Sequence, residues 1–204
     1  KQRSTLIDIP DFDIIKNLDV DWMHCIPLGV CRQFLKLWFN SEYHDKPFYL
    51  GSKIKDIDAF IMSIKPSLDV SRTPRKISDR AHLKAHELVV WLLFYSLPSL
   101  KPYLPHKYLL HWSLLVEAAS ILLKTCVLEA EVFYAQQFIF KFVKDVELLY
   151  GLEHVSFNVH LLTHLAESVQ NWGPLWTHSA FCYENFHQIL KKLVKSSNSA
   201  ELQI

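Results

Sequence analysis

Phe157-Asn158-Val159-His160-Leu161-Leu162-Thr163-His164-Leu165 opens the most informative segment of this 204-residue chain. It continues through Asn171-Trp172-Gly173-Pro174-Leu175-Trp176 to Phe181-Cys182-Tyr183-Glu184-Asn185-Phe186-His187 and runs out at Lys195. The first part reads as an apolar helix with His160 and His164 one turn apart on the same face. Gly173-Pro174 cannot continue a helix, so the chain breaks there. The third part restarts a helix with Glu184 near its first turn and Lys191, Lys192 and Lys195 behind it, an order that suits the helix macrodipole. Phe181, Tyr183 and Phe186 flank Glu184 and predict that it sits close to apolar surface. A carboxylate there is paired, is near a metal, or has a raised pKa.

Upstream of this segment the same periodicities recur. A helix is expected over 128–150, capped by Gly151, and another over 106–124. A long helix is expected over 79–97, with Ser78 as its N-cap, Asp79 in its first turn and Pro98 ending it. Ile54, Ile57, Phe60, Ile61 and Ile64 line one face of a helix over 53–64, which Pro66 stops. Residues 41–51 read as a loop and 66–77 as a linker. A further helix is expected over 28–40. Leu6-Ile7-Asp8-Ile9 reads as a short strand ended by Pro10. The expected fold is mostly α, with six or seven helices and few or no strands.

Composition bounds the remaining possibilities. Half the residues are apolar and 13% are aromatic, enough for a real core. Only four glycines against nine prolines argue against a turn-rich all-β fold. With 22 basic and 21 acidic residues, net charge neither favours nor disfavours a polyanionic partner. Cys25, Cys31, Cys126 and Cys182 are scattered without a Cys-x-x-Cys, the pattern of a reduced, intracellular protein. The most apolar run, near Val89–Leu100, is too short to span a bilayer, and no signal peptide is evident. The polar opening without Met is expected of a piece of something longer.

Several side-chain groupings carry chemistry. Asp21-x-x-His24 pairs two ligand types for a divalent cation, but a turn Asp with a hydrogen-bonded His is the plainer account of it. His160 and His164 have the spacing of a zinc-binding helix face. The residue after His160 is Leu161, though, where the zinc-protease pattern requires Glu, and packing or hydrogen bonding in a buried helix accounts for the pair more simply. Glu184-x-x-His187 lacks the second copy that a di-metal helical bundle needs. Arg72-x-x-Arg75-Lys76, followed by Arg80, is the densest basic run and offers phosphate contacts. A solvated charged loop is the plainer account of it.

Taken together the blocks resemble one family. Asp21-Trp22-Met23-His24-Cys25-x-x-Leu28-Gly29-Val30 is similar to the Asp-x-Met-His…Leu-Gly-Val block of CACTA (En/Spm-type) DDE transposases. Lys46-Pro47-Phe48-Tyr49-Leu50-Gly51, Arg72-Thr73-Pro74-Arg75 and Trp91-Leu92-Leu93-Phe94-Tyr95-Ser96-Leu97-Pro98 look like the blocks that follow in such proteins. Asn158-Val159-His160-Leu161-Leu162-x-His164-Leu165, Gly173-Pro174-Leu175-Trp176 and Phe181-x-x-Glu184 resemble the region that closes their catalytic core.

The resemblance implies an RNase H-like core interrupted by a helical insertion. Residues 1–40 would be a remnant of the core, 41–150 the insertion, and 151–204 the closing helices. It implies two-metal phosphoryl transfer with Mg2+ as cofactor. Glu184 would be the final acid and Asp21 a second metal-site candidate. His24, His160 and His164 would be accessory, and Arg72, Arg75, Lys76 and Arg80 would contact DNA. Transposon-end DNA and further copies of the chain are the implied partners, in the nucleus or cytoplasm and with no membrane. The family's first catalytic Asp lies on a strand upstream of the Asp-x-x-His block, and this chain has no room for it. The expectation is therefore a fragment or remnant that does not cleave DNA alone. The alternative is a catalytically dead, co-opted helical module that binds protein partners.

Overall fold

The computed structural model of the protein describes residues 5–13, 19–66 and 74–193. Leu6–Ile9 is not a strand: Thr5–Asp8 winds into a 3-10 turn. A lone extended segment has no ladder partner for its backbone groups, whereas a 3-10 turn closes its own. Asp21 starts the first helix earlier than expected. Its carboxylate accepts the backbone N–H of His24 at 3.1 Å, capping α1 (Trp22–Cys25). Pro27 has no N–H to donate. The chain widens into a π-helical turn over Ile26–Cys31 and then tightens into α2 (Arg32–Phe39).

After the loop, α3 (Ile54–Ser63) forms where expected. The single helix expected over 79–97 does not. Ile77–His82 is a 3-10 segment followed by an extended Leu83, then come α4 (Ala85–Val90), a π-helical turn Trp91–Tyr95, and α5 (Ser96–Leu100). The reason is tertiary. Asp58 on α3 is buried, and its Oδ1 accepts the N–H groups of Ile77 at 2.6 Å and Ser78 at 3.2 Å. Ser78 is thus held in the 3-10 segment and is not an N-cap. Glu87 instead accepts the Lys84 N–H at 2.8 Å, which starts α4 there. The π-helical turn opens the helix just ahead of Pro98, whose ring would clash with a regular preceding turn.

α6 (His106–Leu122) and α7 (Glu129–Tyr150) follow as a hairpin, antiparallel because a short turn joins them. α7 ends at Gly151, whose φ of 111° is open to glycine at low cost. The two-histidine segment divides into α8 (Phe157–Leu161), a 3-10 turn Leu162–His164, and α9 (Leu165–Trp172). α10 (Phe181–Leu193) closes the described chain. Among the described residues there is no strand, and no helix is long and apolar enough to cross a membrane. The fold is mostly α.

One core runs from Trp22 to Leu175 and draws on all three segments of the expected division. Phe34 on α2 is its hub, with ring centres 5.5 Å from Trp38, 5.3 Å from Trp112, 5.4 Å from Phe142 and 5.0 Å from Tyr150. Each such pair contributes about 0.5–1.5 kcal/mol beyond area burial. Polar tips are satisfied within the cluster: Trp38 Nε1 donates to Tyr150 Oη at 3.3 Å, and Trp112 Nε1 to Ser96 Oγ at 2.9 Å. This aromatic knot holds α2 against the α6–α7 hairpin, with Trp91 of the π-helical turn packed on Trp38 and Trp112. It thereby fixes α1, at the head of α2, against α8.

Candidate functional site

Asp21, His24 and Glu184 come together. Asp21 Oδ2 accepts the backbone N–H of His24 and also faces His24 Nδ1. On the other side of the ring, Nε2 lies 3.4 Å from Glu184 Oε1. Asp21 Oδ1 accepts the N–H of Ala180 at 2.9 Å, 159 residues away in sequence. Trp22 packs beside this contact with its ring centre 5.7 Å from that of Phe181. The head of α1 therefore grips the first turn of α10 at three points: a cap to backbone, an aromatic pair, and an imidazole between two carboxylates. A ring placed so donates to both only when each nitrogen carries a hydrogen.

Glu184 is paired with His24, one of the alternatives expected for it, and shares its helix face with Phe181, but it is not buried. Its side chain is 52% exposed, and that of His24 57%. At such exposure an ion pair is worth at most about 1 kcal/mol. The contact orients α10 more than it stabilises the fold. The reason is the roll of the helix. Glu184 and Phe181 face the body, while Tyr183, Phe186, Ile189 and Leu193 lie on the opposite arc and are all exposed. No residue of α10 is buried.

A second carboxylate–imidazole couple lies beside the first, and sequence reasoning missed it. Asp19 faces His178 Nδ1 with one oxygen and accepts from Ser168 Oγ with the other. His178 Nε2 lies 3.2 Å from the carbonyl oxygen of Gly173. Gly173, at φ 85°, ends α9, and Leu175 N–H donates to the carbonyl of Leu122 on α6 at 3.1 Å. The Gly-Pro break is thus pinned to the segment before α1 as well as to the hairpin. The alternation Asp19-x-Asp21 was the available signal, because alternate residues of an extended segment ahead of a helix can each reach the same neighbour.

The remaining candidates divide. His160 is exposed and His164 half-buried, with ring centres 5.4 Å apart. Packing or hydrogen bonding in a buried helix was expected: the rings meet edge to face, but neither is buried. Arg72 lies outside the described residues. Arg75 donates to the His82 carbonyl at 3.0 Å and lies 3.6 Å from Glu87 and 3.9 Å from Asp79. Arg80 donates to the Phe39 carbonyl at 3.1 Å and stacks over the Phe39 ring, closing the end of α2. Both guanidinium groups hold the 3-10 segment in place, although Arg75, like Lys76, is exposed to solvent. Cys25 offers no nucleophile. Burial, with the Asp21 charge second, pushes its thiol up to about 12, and its sulfur donates to the Asn158 carbonyl.

The donor set does not fit the two-metal Mg2+ site that the resemblance implies. Such a site needs carboxylates converging on the ions. Here both oxygens of Asp21 are engaged by the protein, and the His24 ring stands between Asp21 and Glu184. Among the described residues no group of three or more His, Cys, Asp or Glu side chains is arranged to hold a metal ion. No family model matches the chain, and neither a curated protein nor a solved structure matches it.

Proposed function

We propose that this chain is the helical part of a DDE-type DNA transposase, a fragment or remnant that contacts DNA and does not cut it alone. The observation that carries this is the meeting of the Asp21-x-x-His24 block with Glu184 across nearly the whole length of the chain. That juxtaposition is what the order of the family-like blocks requires of a core closed by its last helix. The engaged Asp21 and the intervening imidazole account for the absence of independent cleavage. In this reading the Asp21–His24–Glu184 cluster serves as a clamp that sets the position of α10.

Two assays with the full chain test it. Binding to duplex DNA is expected, with affinity falling steeply as salt rises because cations such as Lys76 displace counterions. Nicking of supercoiled DNA in Mg2+ or Mn2+ is expected to stay at background. Absence of salt-sensitive DNA binding would count against the DNA role. Robust nicking that disappears in Glu184→Ala would refute the inactivity. The second reading, a helical module that binds protein and has lost catalysis, is favoured by the exposed apolar arc of α10. It expects neither DNA binding nor nicking.

A further inference from the structure

The pair of histidines on α8 and the 3-10 turn after it has no structural employment. His160 is exposed and His164 half-buried. Among the described residues, neither ring nitrogen of either side chain takes part in a hydrogen bond or an ion pair. Among the described residues, neither His164 nitrogen is a buried atom without a partner. The two other histidines that meet the segment before α1 and α1 itself are engaged internally. His24 is held by Asp21 and Glu184, and His178 by Asp19 and the Gly173 carbonyl.

The geometry matches a shared ligand. The two ring centres lie 5.4 Å apart, with planes inclined at 74°. Two imidazoles bound at about 2.1 Å to one tetrahedral ion have ring centres roughly 5 Å apart. The 3-10 turn Leu162–His164 is anchored beneath the pair, since Val159, Leu162 and Leu165 are all fully buried. The backbone that carries the two rings is therefore already in place, and only side-chain rotation remains.

We propose that His160 and His164 form a two-imidazole chelate for a borderline divalent cation of the Zn2+ or Ni2+ type, with water completing the coordination. Nitrogen donors select this class and not Mg2+, which prefers oxygen. The site is independent of the Asp21–His24–Glu184 cluster and of the DNA role. Its ligands are in register only in the folded chain, so binding also raises stability.

The test is a calorimetric titration of the full chain with ZnCl2 and, separately, NiCl2, with MgCl2 as control. Cys126 and Cys182 are exposed thiols, and Cys126→Ser and Cys182→Ser remove them as competitors. One equivalent of Zn2+ or Ni2+ is expected to bind, and Mg2+ is not. His160→Gln and His164→Gln are each expected to weaken binding about tenfold or more, since even loss of a supporting partner costs that much. Circular dichroism verifies that the variants fold. Independently of any variant, substoichiometric Ni2+ is expected to broaden the NMR signals of these two rings before those of the other histidines. The proposal is overturned by the lack of saturable binding, by single variants that keep the parent affinity, or by broadening that begins at another histidine.

Discussion

Lowering the pH attacks the centre of the core through His111. The imidazole is 2% exposed and lies flat on Phe142, with ring centres 4.2 Å apart and planes inclined at 10°. Its Nε2 faces the Phe142 carbonyl at 2.9 Å, while Nδ1 has no partner. Burial is the main cause that lowers its pKa from 6.5 to about 4. The Phe142 hydrogen bond and Asp145 oppose the shift, and Lys141 adds to it. The folded chain therefore favours the neutral ring. Its contribution to stability is fully present above the unfolded value of 6.5 and is lost as pH falls toward 4. By linkage the loss is about 2 kcal/mol at pH 5 and about 3 kcal/mol at pH 4. That is a large part of the roughly 5–15 kcal/mol that holds a domain together. Other groups also titrate over this range, so the measurement is a difference. Urea unfolding of the parent and of His111→Phe, which keeps an aromatic ring against Phe142 but cannot titrate, is compared at pH 7, 5 and 4. The parent is expected to lose that much more stability than the variant. A parent–variant difference that stays constant across pH would refute the reasoning.

Asp58→Ala removes the acceptor that holds the N–H groups of Ile77 and Ser78. It is expected to cost about 1–3 kcal/mol, with faster amide exchange at Ile77 and Ser78 as the local signature. Unchanged exchange there would contradict the role given to this carboxylate. Gly29→Ala would place a methyl group 2.6 Å from the Asn158 side chain and 2.8 Å from the His24 carbonyl oxygen, where α1 and α8 touch. Such overpacking costs about 1–3 kcal/mol, or a fall in Tm of several degrees at about 2–4 °C per kcal/mol for a chain of this size. A variant that melts with the parent would mean that this contact yields freely.

Much of the helical framework was legible from periodicity and local chemistry. α3, α6 and α7 lie where the spacing of apolar residues placed them, and Gly151 ends α7 as its freedom at positive φ allows. The break at Gly173-Pro174 and the restart ahead of Glu184 were equally readable. The split of 79–97 was not. Those residues are apolar enough for one continuous helix, and a carboxylate from α3 captures their leading N–H groups only once the core has assembled. The π-helical turns ahead of Pro98 and around Pro27 likewise reflect a proline kept inside a packed helix where local rules would end it.

By itself the sequence determined where α3, α6 and α7 form, that the chain breaks at Gly151 and Gly173, and that Asp21 and His24 lie within one turn of each other, because those facts rest on hydrogen bonds and side-chain spacing within a few residues. Only the tertiary structure decided that Glu184 faces His24 with Tyr183 and Phe186 turned outward, that Asp19 holds His178, and that Arg75 and Arg80 fasten a loop. These depend on how helices distant in sequence roll and pack against a shared core. No local pattern encodes that roll, because it follows from the fit of whole faces such as Phe34, Trp112 and Phe142.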